Sequence, residues 1–383
     1  MKRLRLIAVL LAISVLVSGC WNARQIENLI YINALGFDYV DNQIVVYAQV
    51  LSFSTIAKQE AGGQRENTTS IVAKATGDTV VNALFKLYPT SQQQLTWSHV
   101  RAILFHVRAL NSKVFNQVID EINRFYEFRY TLWSFATQEP IMDIFNAKQL
   151  FSRPLIYSQL EDPQDLYPQN SVMEPIQLFQ FLARRSESNG VVYLPMLTTN
   201  QTVWSEDKKM LPKLKGSGAC IFQNKEMKSC WSRSDLIGLR WLNKDTNRTL
   251  ISVKSDDKGQ ALLILEKPRV RLTPFFKEGH PLFRIDVQVT GFITQIIQRG
   301  PVEALEKAAA KKIEAEIRGV YERGFKQQID TLALGHSLYR KYPQEWKRLA
   351  KNRTLPLTSG SLDTVNIQVK LKNGGMAKVR QKQ

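Results

Sequence analysis

The chain contains one long apolar run, Leu6 to Val17, broken only by Ser14, and it lies at the N-terminus behind the basic stretch Met1-Lys2-Arg3-Leu4-Arg5. That length suits the hydrophobic region of a secretory signal. It falls short of the roughly 20 apolar residues that a relaxed transmembrane helix needs. No second run of this kind follows, so the rest of the chain is expected to bury its apolar residues in folded cores. A chain of 383 residues leaves room for two or three such domains.

The run ends on Val17-Ser18-Gly19-Cys20. Small residues at Ser18 and Gly19 fit a peptidase groove in extended form, and the cysteine supplies a nucleophilic thiol. The pattern resembles the bacterial lipobox. It implies a lipoprotein signal peptide over residues 1–19, cleavage between Gly19 and Cys20, and an S-diacylglyceryl group on Cys20, with N-acylation of the freed amine as an option. Two acyl chains hold a protein stably at about 0.8 kcal/mol per buried CH₂. The mature chain is therefore expected to sit on a membrane rather than span it.

Formal net charge is +18, of which Lys2, Arg3 and Arg5 belong to the leader. In a cytosolic protein such an excess points to nucleic acid, which an exported lipoprotein does not routinely meet. The expected partner for the charge is an anionic lipid membrane surface or an acidic protein face. A generally basic, solvated surface is the alternative, because the basic residues are spread along the chain. Export also permits a disulfide between the two remaining cysteines, Cys220 and Cys230. The polar stretch Gln223-Asn224-Lys225-Glu226 reads as a hairpin turn that sets them roughly opposite each other. A disulfide and two partly buried thiols both fit.

Periodicity gives a mixed architecture. Leu29 to Phe53 reads as strands with a turn at Asp41-Asn42, and Ser54 to Ser70 as a polar loop. A short strand Ile71–Lys74 leads to a helix capped by Asp78 or Thr79, with Val80, Leu84 and Leu87 on one stripe. Strands at 100–107 and 130–137 flank an amphipathic helix at 114–125. Helices are expected at 141–151 and 176–185, irregular chain at 154–175, and a connector from Pro195 to Leu214. Beyond it, Ala219–Phe222, Leu250–Lys254 and Ala261–Phe276 suggest a meander. Glu278-Gly279 marks a turn before Phe283–Ile297, where alternation gives one buried and one wet face. Pro301 suits the first turn of a long helix with Leu305, Ala309, Ile313, Ile317 and Val320 as its buried stripe. Val365, Ile367, Val369 and Leu371 form a last strand, and Lys370 and Lys372 suit an edge.

Catalytic signatures are missing from the sequence. It has no phosphate loop, no His-Glu-x-x-His, and a spacing at Gly216-Ser217-Gly218 that does not make a nucleophile elbow. His99 and His106 fall on one expected strand at odd separation, hence on opposite faces; His280 falls in a turn, and His336 stands far along the chain. The acidic pairs Glu161-Asp162 and Asp256-Asp257 read as solvated turns. Trp97-Ser98-His99 either lines a ligand pocket or partner surface, or caps the edge of a core. No metal or cofactor is expected.

Several motifs together carry a family resemblance. Cys20-Trp21, Arg24-Gln25-Ile26-Glu27 and Leu35-Gly36-Phe37-Asp38 open the mature chain. Gly77 precedes the first helix, and Trp97-Ser98-His99-Val100-Arg101 follows. Leu265-Glu266-Lys267-Pro268 and the run from His336 through Trp346 to Lys347 come late. The set resembles the Ger(x)C lipoproteins, the C subunits of spore nutrient germinant receptors. Asn22 and Gln25 depart from the family pattern, which commonly has Asp and Glu there. The resemblance implies a non-enzymatic subunit needed for assembly or signalling of the receptor in spore germination, on the outer face of the spore inner membrane. It implies two polytopic membrane partners, the A- and B-type subunits of a GerA-type receptor. A lipoprotein that delivers a small nutrient to a transporter is the alternative, motivated by Trp97 and the connector; a secreted hydrolase ranks third. The expected fold is α+β and multi-domain, with mixed and antiparallel sheets packed against helices. An N-terminal α/β region is expected over residues 20–198, and a C-terminal domain with an antiparallel sheet and a long helix over 199–383.

Overall fold

The computed structural model describes residues 29–51, 70–124, 127–150, 153, 155–256 and 259–372. Strands β1 (Leu29–Val40) and β2 (Gln43–Leu51) form a hairpin, and β3 (Ile71–Gly77) pairs with β2. The hairpin closes on Asp41 and Asn42 with φ of 50° and 59°. Two consecutive left-handed residues make the turn whose twist matches its strands. Helix α1 (Val80–Phe85) follows, with the Thr79 hydroxyl accepting from the Asn82 amide at its N-cap. Then come β4 (Gln94–Thr96), β5 (Ala102–His106), α2 (Val107–Leu110), α3 (Val114–Arg124), β6 (Trp133–Thr137) and α4 (Ile141–Phe145). β7 (Ile176–Gln177), α5 (Leu178–Ser186), β8 (Val191–Asn200), the small hairpin β9 (Ser205–Glu206) and β10 (Lys209–Met210), β11 (Lys213–Gln223) and β12 (Glu226–Ser232) complete this part.

Apart from β9 and β10, these strands form one ten-stranded sheet, ordered β12-β11-β8-β6-β5-β1-β2-β3, with β4 on β1 and β7 on β6. Both of its faces are covered. α1, α3 and α5 pack one face around Phe105, Phe115, Phe181 and Phe222; α4 closes the other against Tyr47, Leu104 and Phe135. The second sheet is β13 (Thr249–Lys254), β14 (Gln260–Lys277), β15 (His280–Gln298) and β16 (Leu362–Lys372). Its β14–β15 turn again uses two left-handed residues, Glu278 and Gly279. The long helix α6 (Val302–Lys326) lays Leu305, Ala309, Ile313, Ile317 and Val320 on it, all buried. Each large apolar side chain of that stripe contributes on the order of 1.5–3 kcal/mol. Helices α7 (Leu334–Lys341) and α8 (Pro343–Leu349) lead into β16, which runs parallel to β15 at the sheet edge with Lys370 and Lys372 exposed. The fold is α+β, with mixed and antiparallel sheets packed against helices.

Three elements differ from the sequence reading. Pro195 to Leu214 is not a connector: Pro195–Asn200 belongs to β8, and Lys213–Leu214 opens β11. Within β8, Pro195 stands opposite Ala219 of β11, and the strand meets β6 at Ala136–Met196. Ala219–Phe222 does not join the Leu250–Lys254 meander but pairs with β8 in the first sheet. Its two faces serve two cores: Cys220 and Phe222 enter the first, Ala219 and Ile221 the second. The helices expected at 141–151 and 176–185 are shorter, α4 ending at Phe145 and α5 starting at Leu178 after the bridge strand β7. The polar loop expected at 54–70 lies outside the described residues except for Ser70.

Candidate functional site

The cleavage and lipid-attachment residues Gly19 and Cys20 lie outside the described residues. The structure places the other singled-out residues in two areas, one beneath β1 and one at the seam between the two sheets.

Beneath β1, Glu161 is not in a solvated turn. It is fully buried, and its Oε1 accepts a hydrogen bond from Asn33 Nδ2. Asn33 Nδ2 also donates to Gln49 Oε1 at 3.3 Å, and Gln49 Nε2 donates to the Phe145 carbonyl at 2.7 Å. Burial pushes the Glu161 carboxyl up to about 7, against the Asn33 hydrogen bond and the charge of Arg101. Glu161 Oε2 and Asn33 Oδ1 are buried without a hydrogen-bond partner. Asp162 is half-buried, Asp256 is exposed, and Asp257 lies outside the described residues.

The Trp97–Arg101 segment borders this network. Trp97 is buried, donates from Nε1 to the Tyr88 hydroxyl at 3.0 Å and packs on Phe128. It caps a core edge. His99 precedes β5 instead of lying on it and meets Tyr31 edge to face at 4.8 Å. His106 ends β5, with Nδ1 3.4 Å from Asp38 and accepting from the Arg108 amide. Arg108 grips Asp38 through two bonds, of 3.0 and 2.5 Å. This ties the Leu35–Asp38 motif to α2.

The seam is built on the late motif. Asp330 is buried just before α7; its Oδ1 accepts from the Leu334 amide at 2.8 Å and its Oδ2 from the Gly335 amide at 2.7 Å. Oδ2 also accepts from Asn189 Nδ2 at 3.1 Å, while the Asp330 amide donates to Gln223 Oε1. Burial raises this carboxyl above its ordinary range, and the N–H donors pull against that rise. Asn189, at φ 54°, sits so close that a Cβ on Gly335 would fall 2.1 Å from its Nδ2. His336 Nε2 lies 3.2 Å from Glu187, and Trp346 is buried against Tyr339 at 5.1 Å. The motif thus fastens α7 and α8 to the loop between α5 and β8. Nothing local in the sequence announced Asn189 or Gln223, whose bonds to Asp330 span more than a hundred positions; Asp330 itself also caps the nearby Leu334 and Gly335 amides.

Beside the seam runs a groove of about 1210 Å³ between β8, residues 243–247 and the bulged part of β14. Arg184, Lys244, Lys267 and Arg269 line it together with Glu174 and Asp245. A smaller cavity of about 290 Å³ touches Pro195, Leu197 and Leu214. Trp97 lines neither of these two cavities. Cys220 and Cys230 stand directly opposite in register and form a disulfide. Among the described residues no group of three His, Cys, Asp or Glu is placed to hold a metal, and no helix is long and apolar enough to cross a membrane. Most of the buried polar groups of both areas pair with one another and hold elements together.

Comparison with known proteins agrees with this architecture. Residues 22–199 match the family described as spore germination protein N-terminal domain, and residues 217–375 match the spore germination B3/GerAC-like C-terminal family. Spore germination protein KC of Bacillus subtilis (strain 168) is 24% identical over 370 residues, covering 91% of this chain and 90% of its own. Spore germination protein B3 of the same organism is 20% identical, covering 86% and 87%. The crystal structure of the GerBC protein superposes with a TM-score of 0.56 at 16% identity, over 88% of this chain and 96% of that one. With both halves matched and the solved fold shared, the chain belongs to the Ger(x)C family of spore germination proteins.

Proposed function

We propose that the protein is a non-enzymatic, lipid-anchored subunit of a spore nutrient germinant receptor, needed for the assembly or signalling of that receptor. In this reading Cys20 carries the lipid, and the protein stands on the outer face of the spore inner membrane beside two polytopic A- and B-type subunits. The observation that carries it is the family match on both sides of the seam, beginning two residues after the lipobox cysteine. Tethering raises the local concentration beside membrane partners, so modest docking contacts suffice. The buried polar groups of the seam support a scaffold, because they brace elements instead of converging on an open cleft.

Deleting the gene tests the proposal. Spores lacking it should fail to germinate on the nutrient sensed by the cognate receptor while still responding to other receptors. Normal germination would sink the reading. Cys20→Ala should leave the fold intact but release the protein from the membrane fraction, which a blot of fractionated cells or spores reads directly.

The groove at the seam favours a second reading, capture of a small charged nutrient for a transporter, because its lining places four cationic and two acidic side chains around one space. Calorimetric titration of the purified protein with candidate nutrients decides it. Absence of heat with every germinant that the intact receptor senses removes this reading.

A further inference from the structure

The tether and the sheet share a direction. β1 runs parallel to β5, β5 to β6, and β6 to β8. Phe37, Phe105, Ala136 and Met196 stand at one level across these four strands. Leu29 therefore lies at the end of the sheet where β8 begins, and the β9–β10 hairpin lies at the other. Cys20 precedes Leu29 by nine residues, a stretch that reaches at most about 30 Å in any conformation. A lipid on Cys20 keeps the Leu29 end of the sheet within about 30 Å of the bilayer.

That end has the chemistry of a membrane contact. Tyr130, Tyr157 and Phe179 are exposed large apolar residues there. Tyr130 leads into β6, and the Phe179 amide donates to its carbonyl at 3.0 Å. Tyr157 follows Leu155 and Ile156, which pack, as Leu29 does, against Tyr31. Arg101, Arg129 and Arg153 lie exposed among them. Of the nearby acids, Glu161 is buried, Asp162 is half-buried, and Glu127 accepts from the Trp97 amide. Tyrosine rings and arginine side chains are suited to the headgroup level of a bilayer, with apolar bodies toward the acyl chains and polar tips in water.

We propose that the Leu29 end of the ten-stranded sheet docks directly on an anionic lipid surface, as a second contact besides the acyl chains, with Arg101, Arg129 and Arg153 among the phosphates and Tyr130, Tyr157 and Phe179 at the boundary below them. The proposal rests on the anchoring reading above, which fixes the end that meets the membrane. It orients the molecule with the sheet standing up from the bilayer and the β9–β10 hairpin, with exposed Trp204 and Met210, facing away from it.

The test removes the lipid and keeps the surface. The mature chain, residues 20–383 with Cys20→Ala, contains both cores and is sedimented with vesicles of phosphatidylglycerol or of phosphatidylcholine. It should bind the phosphatidylglycerol vesicles preferentially and lose that binding at high salt. Arg129→Glu with Arg153→Glu should weaken binding roughly tenfold or more. Both side chains are exposed, so the pair should melt like the parent. Lys208→Glu with Lys209→Glu, the same charge change on the hairpin at the far end, should bind like the parent. No preference for phosphatidylglycerol, full binding by the Arg129/Arg153 pair, or equal loss in both pairs overturns the proposal. Incorporation of labelled palmitate by the intact chain, abolished by Cys20→Ala, reports on the anchor alone, so failure of one reading is distinguishable from failure of the other.

Discussion

A carboxyl that looks like part of a surface turn in the sequence can be the most deeply held acid of its domain. Glu161 follows Gln159 and Leu160 and precedes Asp162, a context with no local mark of burial. Its burial comes from Asn33, 128 positions away, and from the Gln49 and Phe145 groups behind it. The same distance hid Asn189, whereas the Asp41-Asn42 turn and the Thr79 cap were legible because their causes are local. Glu161 leads to a pH prediction. Its carboxyl titrates near 7 in the folded protein, against an ordinary 4.5. The native state therefore holds the proton more tightly than the unfolded chain between those values. Stability should fall as pH rises through that window, by up to about 3 kcal/mol above it. Glu161→Gln can still accept from Asn33 Nδ2 and has nothing to ionise. Urea melts at pH 8 should find the variant more stable than the parent by an amount of that order, and melts at pH 4.5 should bring the two together. Parallel curves across the range would show that Glu161 is ionised at low cost.

At the scale of elements, the start and the main stripe of α6 were legible, but what pins it was not. A 3₁₀ turn at Ile237–Trp241 presses on the helix so closely that a Cβ on Gly238 would sit 2.3 Å from the Glu316 carbonyl. Glu316 Oε2 accepts from Trp241 Nε1 at 2.6 Å and from the Arg240 guanidinium at 2.9 Å. Arg240 is buried and stacks on the Trp241 ring at 4.6 Å. The turn is too short to show a periodicity, so the partners of Glu316, which lies at the edge of the buried stripe, are seen only in the structure. Glu316→Ala should cost about 3–5 kcal/mol, because it strands a buried guanidinium and an indole N–H. Glu316→Gln, which can still accept from both donors, should cost distinctly less. Thermal melts of the two variants check this, and equal losses would show that packing, not charge, fixes the turn to α6.

For the molecule as a whole, the informative feature is the β11–β12 hairpin. A strand with apolar residues on both faces signals burial on both sides, and Ala219-Cys220-Ile221-Phe222 is such a run. The sequence reading put it in a meander with β13 and β14, since pairing with β8 and pairing with β13 satisfy the same pattern. In the structure the hairpin belongs to the first sheet by hydrogen bonding and to both cores by its side chains. Cys220 and Phe222 face the aromatic cluster of Phe115 and Phe181, while Ala219, Ile221 and Trp231 face α6 and β14. The two halves are thus joined by shared strands as well as by the Asp330–Asn189 bonds. A division at residues 198–199 falls inside the β8–β11 pairing, which extends from Val191 to Asn200. A fragment of residues 20–198 would carry Val192, Leu194 and Met196 on an uncovered edge and lack Phe222 beneath α5. It should aggregate or give a collapsed amide spectrum. A fragment of residues 20–232, which keeps the hairpin, should retain native dispersion in its first core at the expense of exposing Ile221 and Trp231. Comparing the two by two-dimensional NMR under oxidising conditions decides the matter. Native dispersion in the shorter fragment would mean that the hairpin is a guest of the first sheet and belongs energetically to the second core.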